Sequence, residues 1–395
     1  MTSIGIHDLE MATGHHVVEL ADLAEFSGVA PGKYILGLGQ SQMSVLAEDE
    51  DIVTMGAAAA LPLLERNGTD GIRTLLFATE SGVDQSKAAG VAALRLLGLP
   101  SNVRVVEMKQ ACYGGTAALQ AAVGIVARSP QERVLVITSD NARYELDSPG
   151  EPTQGAGAVA MLVSADPAVL EIEQANGIST TDVDDFWRPN DSTTAVVDGH
   201  LSVGAYLDAL TGAWKDLEAN GGPAIADIDR ILYHQPYTKM AKKAQQRLRE
   251  VTGDEISTAL NPGDEPDGRD TGLATSSIYN RRLGNSYTAS IYSCLASLLD
   301  HDDSLEGRRV GLFSYGSGCV SEFFTGIVQP GYLSRRNPAR AEKLLDQRVP
   351  VSIAEYRALH AAPHGTSEEQ VTPKVTAGPF RFAGVTDQAR QYEVR

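Results

Sequence analysis

The chain has 395 residues, 43% of them hydrophobic and 21% charged, which suits a soluble globular protein of one large or two fused units. Thirty-three basic against 51 acidic residues leave a net charge of −18. That balance argues against a nucleic-acid binder working through general charge, and the apolar content argues against a disordered acidic chain. The three cysteines, Cys112, Cys294 and Cys319, are scattered and odd in number, so free thiols in a reducing compartment are expected. No signal-peptide pattern and no run of about 18 apolar residues is seen, so a cytoplasmic protein without a membrane partner is expected.

In chain order, residues 74–79 (TLLFAT), 103–108 (VRVVEM), 134–138 (VLVIT) and 159–163 (VAMLV) have the length and β-branched content of buried strands. The alanine-rich stretches 87–97 and 116–127 between them read as helices, and the alternation predicts βαβ units. The second half repeats the scheme, with a strand at 231–234, helices at 239–251 and 288–299, and a strand at 310–315. The segment from Cys112 to the strand at Val134 spans 22 positions and that from Ser286 to the strand at Val310 spans 24, an echo that hints at internal duplication. Residues 261–271 (NPGDEPDGRDT) read as an exposed loop, 364–378 as polar and turn-rich, and the last seventeen residues as a loosely docked tail.

Cys112 follows a strand and precedes Gly114, Gly115 and a helix. Backbone N–H groups and the helix dipole there would favour a thiolate, and the two glycines would let a ligand approach the backbone. A small cysteine packed at a tight turn is the bland alternative. His234 ends an apolar strand just before a proline, where ligands bind in α/β sheets, although many such histidines are structural. Lys239, Lys242, Lys243, Arg247 and Arg249 crowd the following helix, with Lys239 and Lys243 on one face. They make either a solvated face or a grip for a phosphate-bearing ligand. Glu80 closes the first strand, where partial desolvation would raise its pKa and suit it to proton transfer, or it is a capping or surface carboxylate. Asp84 reads as a helix-terminus residue, Asn285 and Ser286 as N-cap types, and Gly316-Ser317-Gly318 as a close-approach loop. Gly37-Leu38-Gly39 lacks the rest of a dinucleotide fingerprint, His15-His16 has no partner at ligand spacing, and no phosphate loop, HExxH or CxxC pair occurs, so no metal is expected.

Together, TESGVD, QACYGGTAAL, SDNARYELDSPGEPTQGAGAVAML, YHQPYTKMAKKA, GNSYTAS and SYGSG resemble bacterial 3-hydroxy-3-methylglutaryl-CoA (HMG-CoA) synthases, in order and over nearly the whole chain. The resemblance implies an α/β thiolase fold, a five-layered αβαβα sandwich of two similar halves. These would be residues 1–165 with Glu80 and Cys112, and 166–395 with His234, Asn285, Ser317 and the tail. It implies a homodimer that joins acetyl-CoA to acetoacetyl-CoA through an acetyl-cysteine, in the mevalonate route to isoprenoids, with no cofactor besides its CoA thioester substrates. By the same resemblance Cys112 takes the acetyl group, Glu80 is the general acid/base and His234 holds acetoacetyl-CoA. Tyr144, Asn285 and Ser317 would line the acyl site, and Lys239 and Lys243 would meet the CoA phosphates. Rival readings are a β-branching synthase acting on carrier-protein-bound polyketides, an initiating ketoacyl carrier-protein synthase, which lacks a counterpart of Glu80, and an inactive acyl-binding scaffold.

Overall fold

The computed structural model describes residues 3–362 and 368–395, so positions 364–367 of the turn-rich stretch lie outside the described residues. Nine strands form one sheet. In chain order they are β1 (Ile4–Thr13), β2 (Ile72–Ala78), β3 (Arg104–Met108), β4 (Arg133–Ala142), β5 (Gly155–Ala165), β6 (Leu170–Thr180), β7 (Arg230–Tyr233), β8 (Arg309–Gly316) and β9 (Val320–Val328). Across the sheet the order is β7-β8-β9-β6-β1-β5-β4-β2-β3. Among the described residues the main helices that cover it are α1 (Ile52–Asn67), α2 (Ala89–Leu96), α3 (Gly114–Arg128), α4 (Gly199–Ala219), α5 (Thr238–Thr252) and α6 (Ser290–His301).

The two ends of the sheet have the same wiring. In the first, β2 runs parallel to β4, β4 antiparallel to β5, and β5 antiparallel to β1. In the second, β7 is parallel to β8, β8 antiparallel to β9, and β9 antiparallel to β6. Within the sheet, among the described residues, the two blocks are joined where Gly5 pairs with Glu171 and Ile6 with Leu170, through β1 and β6.

Side-chain alternation then builds the layers. Val134 and Val136 of β4 point to a core shared with α3 and α6, whereas Leu135 and Ile137 point to α1 and α2. In the second block Leu312 faces the shared core, and Phe313 and Tyr315 face Leu210 and Trp214 of α4 and Met240 and Leu248 of α5. The result is the helix–sheet–helix–sheet–helix sandwich of the thiolase fold. Both faces of β2 and β4 are covered, so they read as near-continuous apolar runs.

Two parts of the fold differ from expectation. Strand β1 escaped notice because Asp8 and Glu10 interrupt its apolar pattern; both are buried, and Arg66 bonds both while Arg340 bonds Glu10. The tail is not loosely docked. It forms a hairpin, β10 (Phe380–Thr386) and β11 (Ala389–Val394), whose Phe380, Phe382, Val385 and Tyr392 enter the α1/α2 core of the first block. Of the loop expected to be exposed over 261–271, residues 261–268 and Asp270 are exposed, but Arg269 is half-buried and Thr271 is buried.

Candidate active site

Glu80 stands two residues beyond the end of β2, and Cys112 stands in the turn between β3 and α3. Parallel pairing of β2 with β3 brings these two strand ends together. The Cys112 Sγ donates to Glu80 Oε1 at 3.1 Å. Burial and the nearby Asp140 push the Glu80 carboxyl up to about 8, while the Cys112 bond and Arg188 act the other way. Burial, then Glu80, also pushes the Cys112 thiol well above its usual range. The expected thiolate is therefore corrected: a helix N-terminus contributes about 0.3–2 kcal/mol, which desolvation beside a carboxyl outweighs. The thiol keeps its proton and shares it with Glu80.

The second block supplies the rest of the wall. Gly115 lets it approach, because a Cβ there would lie 2.6 Å from Thr288 O and 3.0 Å from Tyr292 Cε2. The glycine thus makes room for the neighbouring half, not for the ligand expected at this turn. Gly316 does the same from the other side, where a Cβ would sit 2.4 Å from Gln110 O. Ser317 follows it and accepts from Gln110 Nε2 through its carbonyl at 3.3 Å.

Tyr144, Tyr287 and Phe186 meet edge to face, with centroids 6.0–6.5 Å apart, and Cys112 packs against this group. Asn285 is buried, and its Oδ1 accepts from Tyr287 N at 2.9 Å. Asp140 was not singled out from the sequence, although it stands two residues past VLVIT, inside β4, much as Glu80 stands just past TLLFAT. Its Oδ1 accepts from Thr79 Oγ1, Glu80 N and Ser81 N at 2.8–3.0 Å, and its Oδ2 accepts from Thr288 N at 3.1 Å. One carboxylate so ties the Glu80 turn to the second block.

His234 follows β7, held through its backbone N–H to Phe313 O at 2.9 Å and its carbonyl to Tyr206 OH at 2.8 Å. Burial pushes the imidazole down to about 3, so it is neutral at physiological pH. Its Nε2 is buried and has no hydrogen-bond partner among the described residues.

The basic helix divides in two. Arg247 pairs with Asp208 and Glu250, and Arg249 with Glu255 and Asp267, so both are tied into the surface. Lys239 Nζ instead donates to Leu36 O at 3.1 Å and Lys243 Nζ to Tyr237 OH at 3.0 Å. Neither has a carboxylate at ion-pair distance among the described residues. Asp84 accepts from Ser86 N and Lys87 N at 2.8 and 2.7 Å, a local turn. Among the described residues no group of three histidine, cysteine or acidic side chains could hold a metal ion.

Comparison with known proteins agrees over the whole length. Residues 1–168 match the family model "Hydroxymethylglutaryl-coenzyme A synthase N terminal", and 171–256 with 269–364 match its C-terminal counterpart. A hydroxymethylglutaryl-CoA synthase of Enterococcus faecalis is 42% identical over 370 residues, 93% of this chain and 94% of that protein. The polyketide 3-hydroxy-3-methylglutaryl-ACP synthase PksG of Bacillus subtilis is 33% identical over 377 residues, 91% and 88% of the two chains. The structure of MvaS in complex with 3-hydroxy-3-methylglutaryl coenzyme A superposes with a TM-score of 0.91 at 38% identity, covering 100% of this chain and 99% of the other.

Proposed function

The chain belongs to the hydroxymethylglutaryl-CoA synthase family, and from that premise we propose how its residues divide the reaction. The enzyme condenses acetyl-CoA with acetoacetyl-CoA and water, giving HMG-CoA and CoA. The observation that carries the assignment is the 3.1 Å contact between Cys112 Sγ and Glu80 Oε1.

Ionised Glu80 takes the thiol proton as Cys112 sulfur attacks the acetyl carbonyl. The C–S bond to CoA breaks, and the departing thiolate collects that proton. Glu80, again a base, removes a proton from the acetyl-cysteine methyl. The enolate carbon bonds to C3 of acetoacetyl-CoA, whose thioester the neutral His234 holds through an N–H. Glu80 returns the proton to the new alkoxide. Water then cleaves the thioester to Cys112, leaving the free carboxyl of the product. Tyr144, Asn285 and Ser317 line the acyl side, and Lys239 with Lys243 meets the phosphates of CoA as point charges. The unpartnered Nε2 of His234 and the two lysines without carboxylate partners support these roles.

Mass spectrometry after brief mixing with acetyl-CoA tests the scheme. Wild type should gain one acetyl group, Cys112→Ala none, and Glu80→Ala should fail to condense any acetyl-enzyme it forms. Glu80→Ala condensing at the wild-type rate would refute the role of Glu80. Acetoacetyl-CoA and acetoacetyl-carrier protein offered separately decide the acceptor, and the CoA thioester should give the higher kcat/KM. No described helix is long and apolar enough to cross a membrane, and a cytoplasmic site of action fits that. A homodimer is supported by β3, which among the described residues has a strand partner on one side only and exposes Val106.

A further inference from the structure

Residues 181–198 run from β6 to α4 as a strap across the mouth of the site. One end is fastened to the second block, where Thr181 N and Val183 N donate to Cys319 O and Gly318 O at 3.1 and 2.9 Å. Asp185 is buried and accepts from Tyr315 OH at 2.9 Å and Gly318 N at 2.8 Å. The strap then lays Phe186 against Tyr144 and Tyr287 beside Cys112. Two residues on, Arg188 donates from Nη2 to the backbone carbonyl of Glu80. Arg188 and Glu80 line the same cavity of about 980 Å³.

Several charged and titratable groups surround the Glu80 carboxyl. They are Asp140 from β4, Cys112 from the β3–α3 turn, Tyr144, Tyr287 and Arg188. Further along the same wall are Glu107, Lys109 and Arg143. Burial and then Asp140 oppose ionisation of Glu80; the Cys112 bond and, after it, Arg188 favour it.

We propose that Arg188 is a positioning residue for the condensation, clamping the turn that carries Glu80 and keeping its carboxylate available as the base. The proposal rests on Glu80 being that base. It also gives the strap a second task, since the segment that packs Phe186 beside Cys112 also sets the guanidinium on the Glu80 turn.

The test is the pH profile of condensation for Arg188→Ala and Arg188→Lys, beside wild type and Glu80→Ala. Arg188→Ala should move the rising limb toward alkaline pH by about one unit, which at pH 7 is about a tenfold loss in kcat. Its KM for acetoacetyl-CoA should stay within about twofold of wild type. Arg188→Lys should recover most of the shift, because the charge is retained. An Arg188→Ala profile that superposes on wild type, or a loss confined to KM, overturns the proposal. So does a lysine variant no better than alanine. Glu80→Ala with wild-type turnover would instead bring down the reading of Glu80 on which this one depends.

Discussion

At Glu80 the carboxyl ionises at about 8, so between about pH 4.5 and pH 8 the folded chain holds a proton that the unfolded chain has released. Its contribution to stability is present below about pH 4.5 and is lost as pH rises through that window, by up to about 1.4 kcal/mol per pH unit. Glu80→Gln removes the titration and keeps an acceptor for the thiol. Calorimetric scans should show its Tm above that of wild type at pH 8.5 and level with it at pH 4.5; equal differences at both would contradict the burial argument. With Glu80 as the proposed base, catalysis should follow the opposite slope, because only the ionised carboxylate takes a proton, and condensation should speed up as pH approaches 8. The two tendencies together are a stability–activity conflict held at one side chain. Glu80 was legible in the sequence because an acid directly after an apolar strand is rarely wet on all sides. The ionisation of Cys112 was not legible, since the carboxyls beside it come from other segments.

The C-terminal hairpin shows what an element can hide. Phe380 and Phe382 alternate with Arg381 in a period-two pattern, yet the surrounding charges read as a solvated tail. Those charges are bonded. Tyr392 OH and Arg390 both donate to Asp51 Oδ2, at 2.7 and 2.8 Å, and Arg395 bonds Asp49 at 2.8 Å. Asp51 also caps α1, accepting from Val53 N and Thr54 N at 2.9 and 3.0 Å, so the hairpin steadies the start of the helix behind the catalytic strands. Tyr392→Ala empties a core position and leaves Asp51 with one partner fewer; a loss of about 3 kcal/mol is expected from urea titration. A variant ending at Gly378 should lose more. Unchanged urea midpoints would mean that the hairpin only rests on the surface. The early strand β1 was missed for a related reason, because Asp8 and Glu10 look exposed until Arg66 and Arg340 arrive from 56 or more positions away.

On the scale of the molecule, a net charge of −18 repels CoA, itself a polyanion, so the grip proposed for the lysines at the start of α5 is a local one. Lys239→Ala and Lys243→Ala should each raise KM for acetoacetyl-CoA about three- to tenfold with kcat little changed, and 0.5 M salt should shrink the difference. An effect on kcat alone would remove these residues from the CoA grip. Strand β3 ends the sheet with an open edge, and Val106→Lys there should convert a dimer into monomers by light scattering. A wild-type monomer would end the dimer reading. What the sequence determined by itself was local: apolar runs that must be buried strands, small-residue helices between them, and reactive side chains at the strand ends, all properties of short windows. Which strand ends meet was decided only by the tertiary structure. The parallel pairing of β2 with β3 puts Glu80 on Cys112, and Gly115 admits a turn from more than 170 residues downstream. Contacts between segments so far apart depend on packing the two blocks against one shared core, and no local pattern encodes them.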